Sequence, residues 1–272
     1  MYGCEFLGKI MLDINQIAFF LLVFFRVGAI LFTAPFFSNK NINSKVRILI
    51  SFAITIILVV SLKSLINENG VLTAEKQSIN SYPSLVSAIF REIILGIAIG
   101  YTAQLAFTSI QFAGHLVSHE MGFSMVNLLD PSINTGITII GQLNMILATM
   151  IFLLMNGHHY IIMSISESFY IIPLGSWSIS SAFIEHLNNI FAGIFITAIK
   201  ISIPVMGAIF LSKIALSIVA RTMPQMNVFI VGFPIQISLG LIAMAISLPF
   251  FVRIIITLFT SMRENIFQIL KF

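Results

Sequence analysis

Apolar residues run along this chain in long blocks, near 16–37, 48–62, 89–110, 137–155, 158–174, 190–220 and 228–260, with polar residues gathered between them. No block alternates with the period of two that a membrane barrel strand requires, and Leu, Ile, Met, Phe and Ala dominate the composition of the blocks. The pattern predicts helices throughout and an all-α fold. A hydrocarbon core about 30 Å thick takes about 20 helical residues at about 1.5 Å each, and several blocks reach that length. Unpaired backbone is too costly in lipid for most other spanning structures. Block 48–62 is short before Lys63 interrupts it, and the polar connection 63–83, KSLINENGVLTAEKQSINSYP, reads as an exposed loop or a short surface helix.

These blocks fit a bilayer badly. Arg26, Arg91, Glu92, Lys200, Lys213 and Arg253 lie inside or at the edge of apolar runs, and Pro204, Pro234 and Pro249 punctuate the last two. A charge at bilayer depth costs at least about 2.5–3.5 kcal/mol on insertion scales. Many of these segments are therefore expected to face other protein or water. Lys40, Lys45 and Arg47 would place loop 38–47 on the cytoplasmic side, yet loop 111–136 on that same side carries Glu120 and Asp130 and no Lys or Arg. No orientation follows from charge.

Composition sharpens the class. Of 272 residues, 58% are hydrophobic and 9% charged, against about 45–50% and about 25% in a soluble domain. So few charges do not coat a water-soluble globule of this size. The net charge is +4, but the 14 Lys and Arg are scattered with no dense run, so a nucleic-acid partner is not expected. Cys4 is the single cysteine, which excludes an intramolecular disulfide and a Cys-based metal cage; the residues before it form no lipobox. Lys9 and Asp13 precede an apolar run longer than a signal core, without an A-x-A site, so the N-terminus is expected to be retained.

Three segments carry most of the information. The first, QFAGHLVSHEMGFSMVNLLDP (111–131), lies between two apolar blocks and is itself mixed. Met121 and Met125 are spaced for one helical face, and methionine seals against irregular surfaces; Asp130-Pro131 then stops one element and opens the next. An ordinary interhelical loop and a gating or substrate-contacting loop both fit. His115 and His119 stand at i, i+4, a zinc spacing, but no third His or Cys lies nearby, so no metal site is expected. His158-His159 reads as a helix-end feature whose rings diverge. The second segment, ARTMPQMNVFIVGFPIQI (220–237), holds Arg221, Pro224, Gln225, Asn227, Gly232, Pro234 and Gln236. Its two prolines are expected to prevent one continuous helix, freeing carbonyls for Arg221, Gln225 or Asn227 to satisfy; a kinked helix with no special role is the plainer alternative. In the third, 24–48, Arg26 needs a counter-charge, a carbonyl cluster or water, and Pro35 ends the helix. No nucleophile–base pair, phosphate loop or paired-carboxylate site stands out, so neither catalytic nor cofactor-binding residues are expected.

In this order the segments resemble the FliR/SctT family, the export-gate subunit shared by flagellar and injectisome type III secretion systems. The likeness is carried by R-x8-P-F-F (Arg26 to Phe37), E-x3-G-x3-G (Glu92 to Gly100), A-G-x7-M-G-x7-D-P (Ala113 to Pro131), N-G-H-H (Asn156 to His159) and above all R-T-M-P-Q-M-N-V-F-I-V-G-F-P-I-Q-I (Arg221 to Ile237). It covers nearly the whole chain. The resemblance implies a single export-gate domain over 1–272, FliP-like to about 190 and a FliQ-like helical hairpin from about 190 to 272. The assembled FliP–FliQ–FliR gate is implied to be a helical cone held largely above the inner-membrane plane in the flagellar basal body. The family's central loop, here about 112–127, is implied to plug the pore, which makes Phe112, Gly114, Met121, Gly122, Phe123 and Met125 plug candidates. Arg26, Pro35, Glu92, Asp130, Pro131, Arg221, Pro224, Gln225, Asn227, Gly232 and Pro234 become structural or assembly candidates. The family often has proline in the basic loop, where this chain reads Asn41-Ile42-Asn43-Ser44.

The expected function is a non-enzymatic channel subunit passing unfolded flagellar substrates across the inner membrane. Its implied partners are FliP-like and FliQ-like subunits, a FliB/FlhB-like switch protein, FlhA-like export proteins and the unfolded export substrates. A virulence injectisome counterpart is the alternative. Lys200, Pro204 and Lys213 motivate a third reading, a secondary solute transporter, and a scaffold that only nucleates assembly is a fourth.

Overall fold

The computed structural model describes residues 2–35, 37–38, 42–69, 82–123, 138–223, 225 and 227–271; for 2–15, 62–69, 82, 228 and 229 it describes the backbone alone. Among the described residues the chain forms seven helices and no strand. They are α1 (Tyr2–Thr33), α2 (Ser44–Asn69), α3 (Tyr82–Glu120), α4 (Ile139–Leu154), α5 (Gly157–Ile171), α6 (Ser181–Thr222) and α7 (Val228–Ile269). Five of them are long and apolar enough to cross a membrane, or up to six if α4 and α5 count together as one span. The chain is an all-α membrane protein.

Several helices are longer than the apolar blocks suggest. Helix α2 starts at Ser44, where the Asn43 side chain accepts from the Lys45 N–H at 3.0 Å as a helix cap, and it runs through Lys63 to Asn69. Asn43 thus supplies the helix start in a loop that lacks the family's proline. Of the expected loop 63–83, residues 63–69 are helical, 82–83 open α3, and the rest lies outside the described residues. Helices α6 and α7 have 42 residues each, about 63 Å at 1.5 Å per residue, roughly twice a hydrocarbon core. Contrary to expectation, Pro234 does not break the second of these helices. Pro204 lies inside α6, and Pro234 and Pro249 inside α7. Each proline cancels one backbone bond, and the residues whose carbonyls are freed, Lys200, Ile230 and Ala245, are all exposed. The break falls instead between Thr222 and Val228, and Asn227 opens α7 by accepting from the Ile230 N–H.

The described chain divides into two compact units. The first comprises Met1–Gln104, His158–Asn188 and Arg263–Phe272. Its core is built on α1, whose buried positions 22, 23, 26, 27, 30 and 31 recur at helical spacing, with Ala34 buried just beyond its end. Against them lies α3 through Gly96 and Gly100, spaced one turn apart. A methyl group on Gly96 would sit 2.6 Å from Ala29 Cβ and 2.7 Å from the Arg26 carbonyl, and one on Gly100 would sit 2.7 Å from the Ile30 carbonyl. The E-x3-G-x3-G motif is therefore a close-approach face, on which missing side chains let two backbones meet. On the other side of α1, Phe52 of α2 packs edge-on to Phe20 at 5.6 Å.

The second unit comprises Leu105–Gly157 and Asn189–Met262. Phe107, Phe152 and Phe259 form a triangle of rings with centroids 5.2–5.4 Å apart. A second cluster joins Val117, Met121, Ile140, Val205 and Ile209, with Phe123, Ala243 and Met244 packed on it. The outward faces of its long helices stay apolar, with Ile203, Phe210, Leu211 and Ile246 all more than half exposed.

Candidate functional site

The candidate residues fall into two sets, one in each unit. In the first unit Arg26 and Glu92 are 0% and 1% exposed and pair through both guanidinium edges. Arg26 Nε donates to Glu92 Oε2, and Nη2 donates to Oε1 at 3.0 Å. Its Nη1 donates to the carbonyls of Ser168 at 2.9 Å and Ile172 at 3.1 Å, at the C-terminal end of α5. The guanidinium also lies 4.5 Å above the Phe169 ring. The carboxylate is satisfied in turn, since the Gly175 N–H donates to Glu92 Oε1 at 2.6 Å. Sequence reading predicts that Arg26 needs a counter-charge or a carbonyl cluster; it receives both. Helix C-terminal carbonyls carry negative potential, so Arg26 is held by a carboxylate and a helix end together. Pro35 follows one turn beyond the close-approach face, buried in a turn closed by Ser38 N–H to the Ala34 carbonyl at 2.9 Å.

In the second unit the first half of the 111–131 segment is helical: α3 continues to Glu120. The mixed polarity of the segment hides a buried row at Ala113, Val117 and Met121, spaced by four. Phe112 packs edge-on to Phe195 at 5.5 Å, and Gly114 packs on α4, where an added methyl would lie 3.0 Å from the Gly141 nitrogen. The helix then ends in a Schellman motif. Phe123 N–H reaches the Ser118 carbonyl at 3.1 Å and Gly122 N–H reaches the His119 carbonyl at 3.1 Å, with Gly122 at φ +87°. That conformation favours glycine, and a methyl there would also press 2.9 Å from the Phe233 ring. Met121 is fully buried, its side chain lying across Gly240 of α7, whose absent Cβ would sit 2.7 Å from Met121 Cγ and Cε. Met121 therefore seats the chain as it leaves α3. α3 itself ends at Glu120, and the expected pairing with Met125 falls on a residue outside the described ones.

Met125, Asp130, Pro131 and Pro224 lie outside the described residues. Arg221 and Gln225 are exposed at the α6–α7 turn, Gly232 is buried on α7 and Pro234 is exposed. His115 and His119 sit on α3, half-buried and exposed, and among the described residues no group of three His, Cys, Asp or Glu is placed to hold a metal. His158 and His159 do not diverge as expected: their rings lie 4.3 Å apart in the first turn of α5. The Asn156 before them takes a positive φ of 56° at the end of α4, a conformation that asparagine tolerates better than most residues.

Two features escape sequence reading. Ser168, Ile172 and Gly175 act through backbone atoms, which leave no trace in residue type. The pairing of Lys213 Nζ with Glu120 Oε2 at 2.5 Å joins residues 93 apart; each is legible only as a charge in an awkward place.

The pattern described as "Bacterial export proteins, family 1" matches residues 17–262. The chain is 31% identical to the flagellar biosynthetic protein FliR of Bacillus subtilis (strain 168) over 259 residues, covering 92% of this chain and 94% of that protein. It is 27% identical to the protein of the same name in Escherichia coli (strain K12), over 82% of each chain. The surface presentation of antigens protein SpaR of Shigella flexneri is 26% identical over 80% of each.

Proposed function

Since the chain belongs to the bacterial export proteins of family 1, the FliR/SctT family that its motifs resemble, we propose that it is a subunit of the type III protein export gate. In this reading it assembles with FliP-like and FliQ-like subunits and lines the channel through which unfolded flagellar substrates cross the bacterial inner membrane, within the flagellar basal body. Residues to about 190 are the FliP-like part and about 190 to 272 the FliQ-like hairpin. FlhB-like and FlhA-like proteins act beside it, and the chain itself performs no catalytic step. The family match over 17–262 carries the proposal.

The geometry supports it in two ways. Helices of 42 residues with exposed Lys200 and Arg253 in apolar faces suit burial against neighbouring helices better than immersion in lipid. The end of α3 suits a plug, because Met121, Gly122 and Phe123 anchor the chain just before the rest of the proposed plug segment begins. The SpaR likeness favours the virulence counterpart as the second reading, with the same architecture and a different substrate set.

Co-expression tests the assembly. The full chain, tagged and produced with FliP-like and FliQ-like chains of the same bacterium, is expected to purify with both as one stable complex. A monomer that carries a small solute into liposomes would contradict the proposal and favour a transporter.

A further inference from the structure

Helix α2 is inside out by the standard of a helix in water, which buries its apolar stripe and exposes its polar one. The side chains of Ser51 and Thr55, which it turns toward the protein, carry hydroxyls and are fully buried. Each donates to the carbonyl one turn back, Ser51 to Arg47 at 2.8 Å and Thr55 to Ser51 at 2.7 Å, so both are satisfied within the helix. The side chains turned outward are large and apolar: Val46, Leu49, Phe52, Ile56, Ile57 and Val60, with Leu49 70% and Ile57 and Val60 67% exposed. They recur at helical spacing along one face. Only 11% of Ser44–Ser61 is buried. A helix oriented in this way meets a medium more apolar than the side behind it.

Acyl chains and a neighbouring protein helix are both such media, and charge separates them. Between Arg47 and Lys63 the sequence of α2 has no charged residue on any face. That stretch measures about 24 Å at about 1.5 Å per residue. Cationic side chains that reach for headgroups, or a slight thinning of the bilayer, match it to a hydrocarbon core of about 30 Å. Helices α6 and α7 differ, because exposed Lys200 and Arg253 fall within their apolar runs, an arrangement that lipid disfavours. Cations bounding an uncharged apolar stretch are complementary to the anionic headgroups of a bilayer. At the first turn of α2 Lys45 is exposed, and Arg47 lies 4.9 Å over the Phe32 ring of α1, which holds its charge beside the apolar face. We propose that α2 is a lipid-contacting helix: acyl chains cover its outer face, and Lys45 and Arg47 meet the headgroups of anionic phospholipid. The inference needs only that the chain is a membrane protein, and it is independent of the export-gate reading.

The test uses the full chain, with the subunits that purify with it, in lipid nanodiscs. Cys4→Ser removes the single native thiol. Leu49→Cys, Ile57→Cys and Val60→Cys, made one at a time in that background, each carry a bimane label, and the folding of each variant is checked by its elution in detergent. In nanodiscs of brominated phosphatidylcholine and phosphatidylglycerol, each label is expected to lose most of the fluorescence it shows in the unbrominated lipids. At the Leu49 label, one turn from Lys45, Lys45→Gln is expected to lower the preference for phosphatidylglycerol over phosphatidylcholine about fivefold, the equivalent of about 1 kcal/mol for one cation near an anionic surface. Labels that keep their fluorescence in intact, inserted preparations would show that another protein covers the face, and would overturn the proposal. Quenching with a lipid preference that Lys45→Gln leaves unchanged would overturn the headgroup contact at Lys45. Should the chain purify without partner subunits and still be quenched, the lipid contact stands and the export-gate reading falls.

Discussion

Glu92→Gln is expected to destabilise the first unit by about 3–5 kcal/mol, the cost of leaving one member of a buried pair without its counter-charge. The amide has nearly the size of the carboxylate, so the loss comes from charge and not from a cavity. Arg26 would keep its bonds to the Ser168 and Ile172 carbonyls, but a full positive charge at 0% exposure would have no anion beside it. The double variant Arg26→Met with Glu92→Leu is expected to be markedly more stable than Glu92→Gln, because apolar replacements of a buried pair are often near neutral. It still loses the tie from Glu92 to the Gly175 N–H. Thermal unfolding of the detergent-purified chain and its steady-state level in membranes measure both. A Glu92→Gln chain as stable as the parent would show that the network does not hold α1, α3 and the end of α5 together.

Met121→Ala carries the second large effect. The side chain is fully buried and spans the gap over Gly240, so truncation removes its apolar burial and opens a cavity, together about 2–5 kcal/mol. Met121→Leu, close in volume, is expected to cost less than about 1.5 kcal/mol. The loss should be local: amide exchange at the last two turns of α3 is expected to accelerate in Met121→Ala while α1 keeps its protection. Equal acceleration in both would mean that Met121 supports general stability and not the loop stem.

How much of this is legible in sequence varies by residue. The helical class follows from block length, and the close approach of α1 and α3 is written in the four-residue spacing of Glu92, Gly96 and Gly100. Arg26 announces its need for compensation by standing among apolar residues, but its partner is 66 residues away and two of its acceptors are carbonyls. The extension of α3 through 111–120 is obscured because His115, Ser118, His119 and Glu120 suggest a loop, whereas the row Ala113, Val117, Met121 that holds the helix down is only three residues long. Pro234 misleads for another reason. It lies inside α7, where the helix runs on past it with the loss of one backbone bond, and the interruption sits before α7, between Thr222 and Val228. The plug candidates divide accordingly: Phe112 and Gly114 pack on helices, Met121 to Phe123 form the anchored exit of α3, and Met125 lies outside the described residues.

That division changes how the proposed seal is best tested. Removing 114–125 would cut two turns out of a packed helix, whereas removing 124–129 leaves α3, its cap and the Met121 seat in place. The decisive measurement is the ionic conductance of the purified export-gate complex in a planar bilayer, with the parent chain and with the chain lacking 124–129. A closed parent complex and an open shortened one, equal in subunit content, are the predicted result. A shortened complex that assembles and stays closed, or a parent complex that conducts equally, would contradict the account of this chain as the subunit whose loop seals the gate.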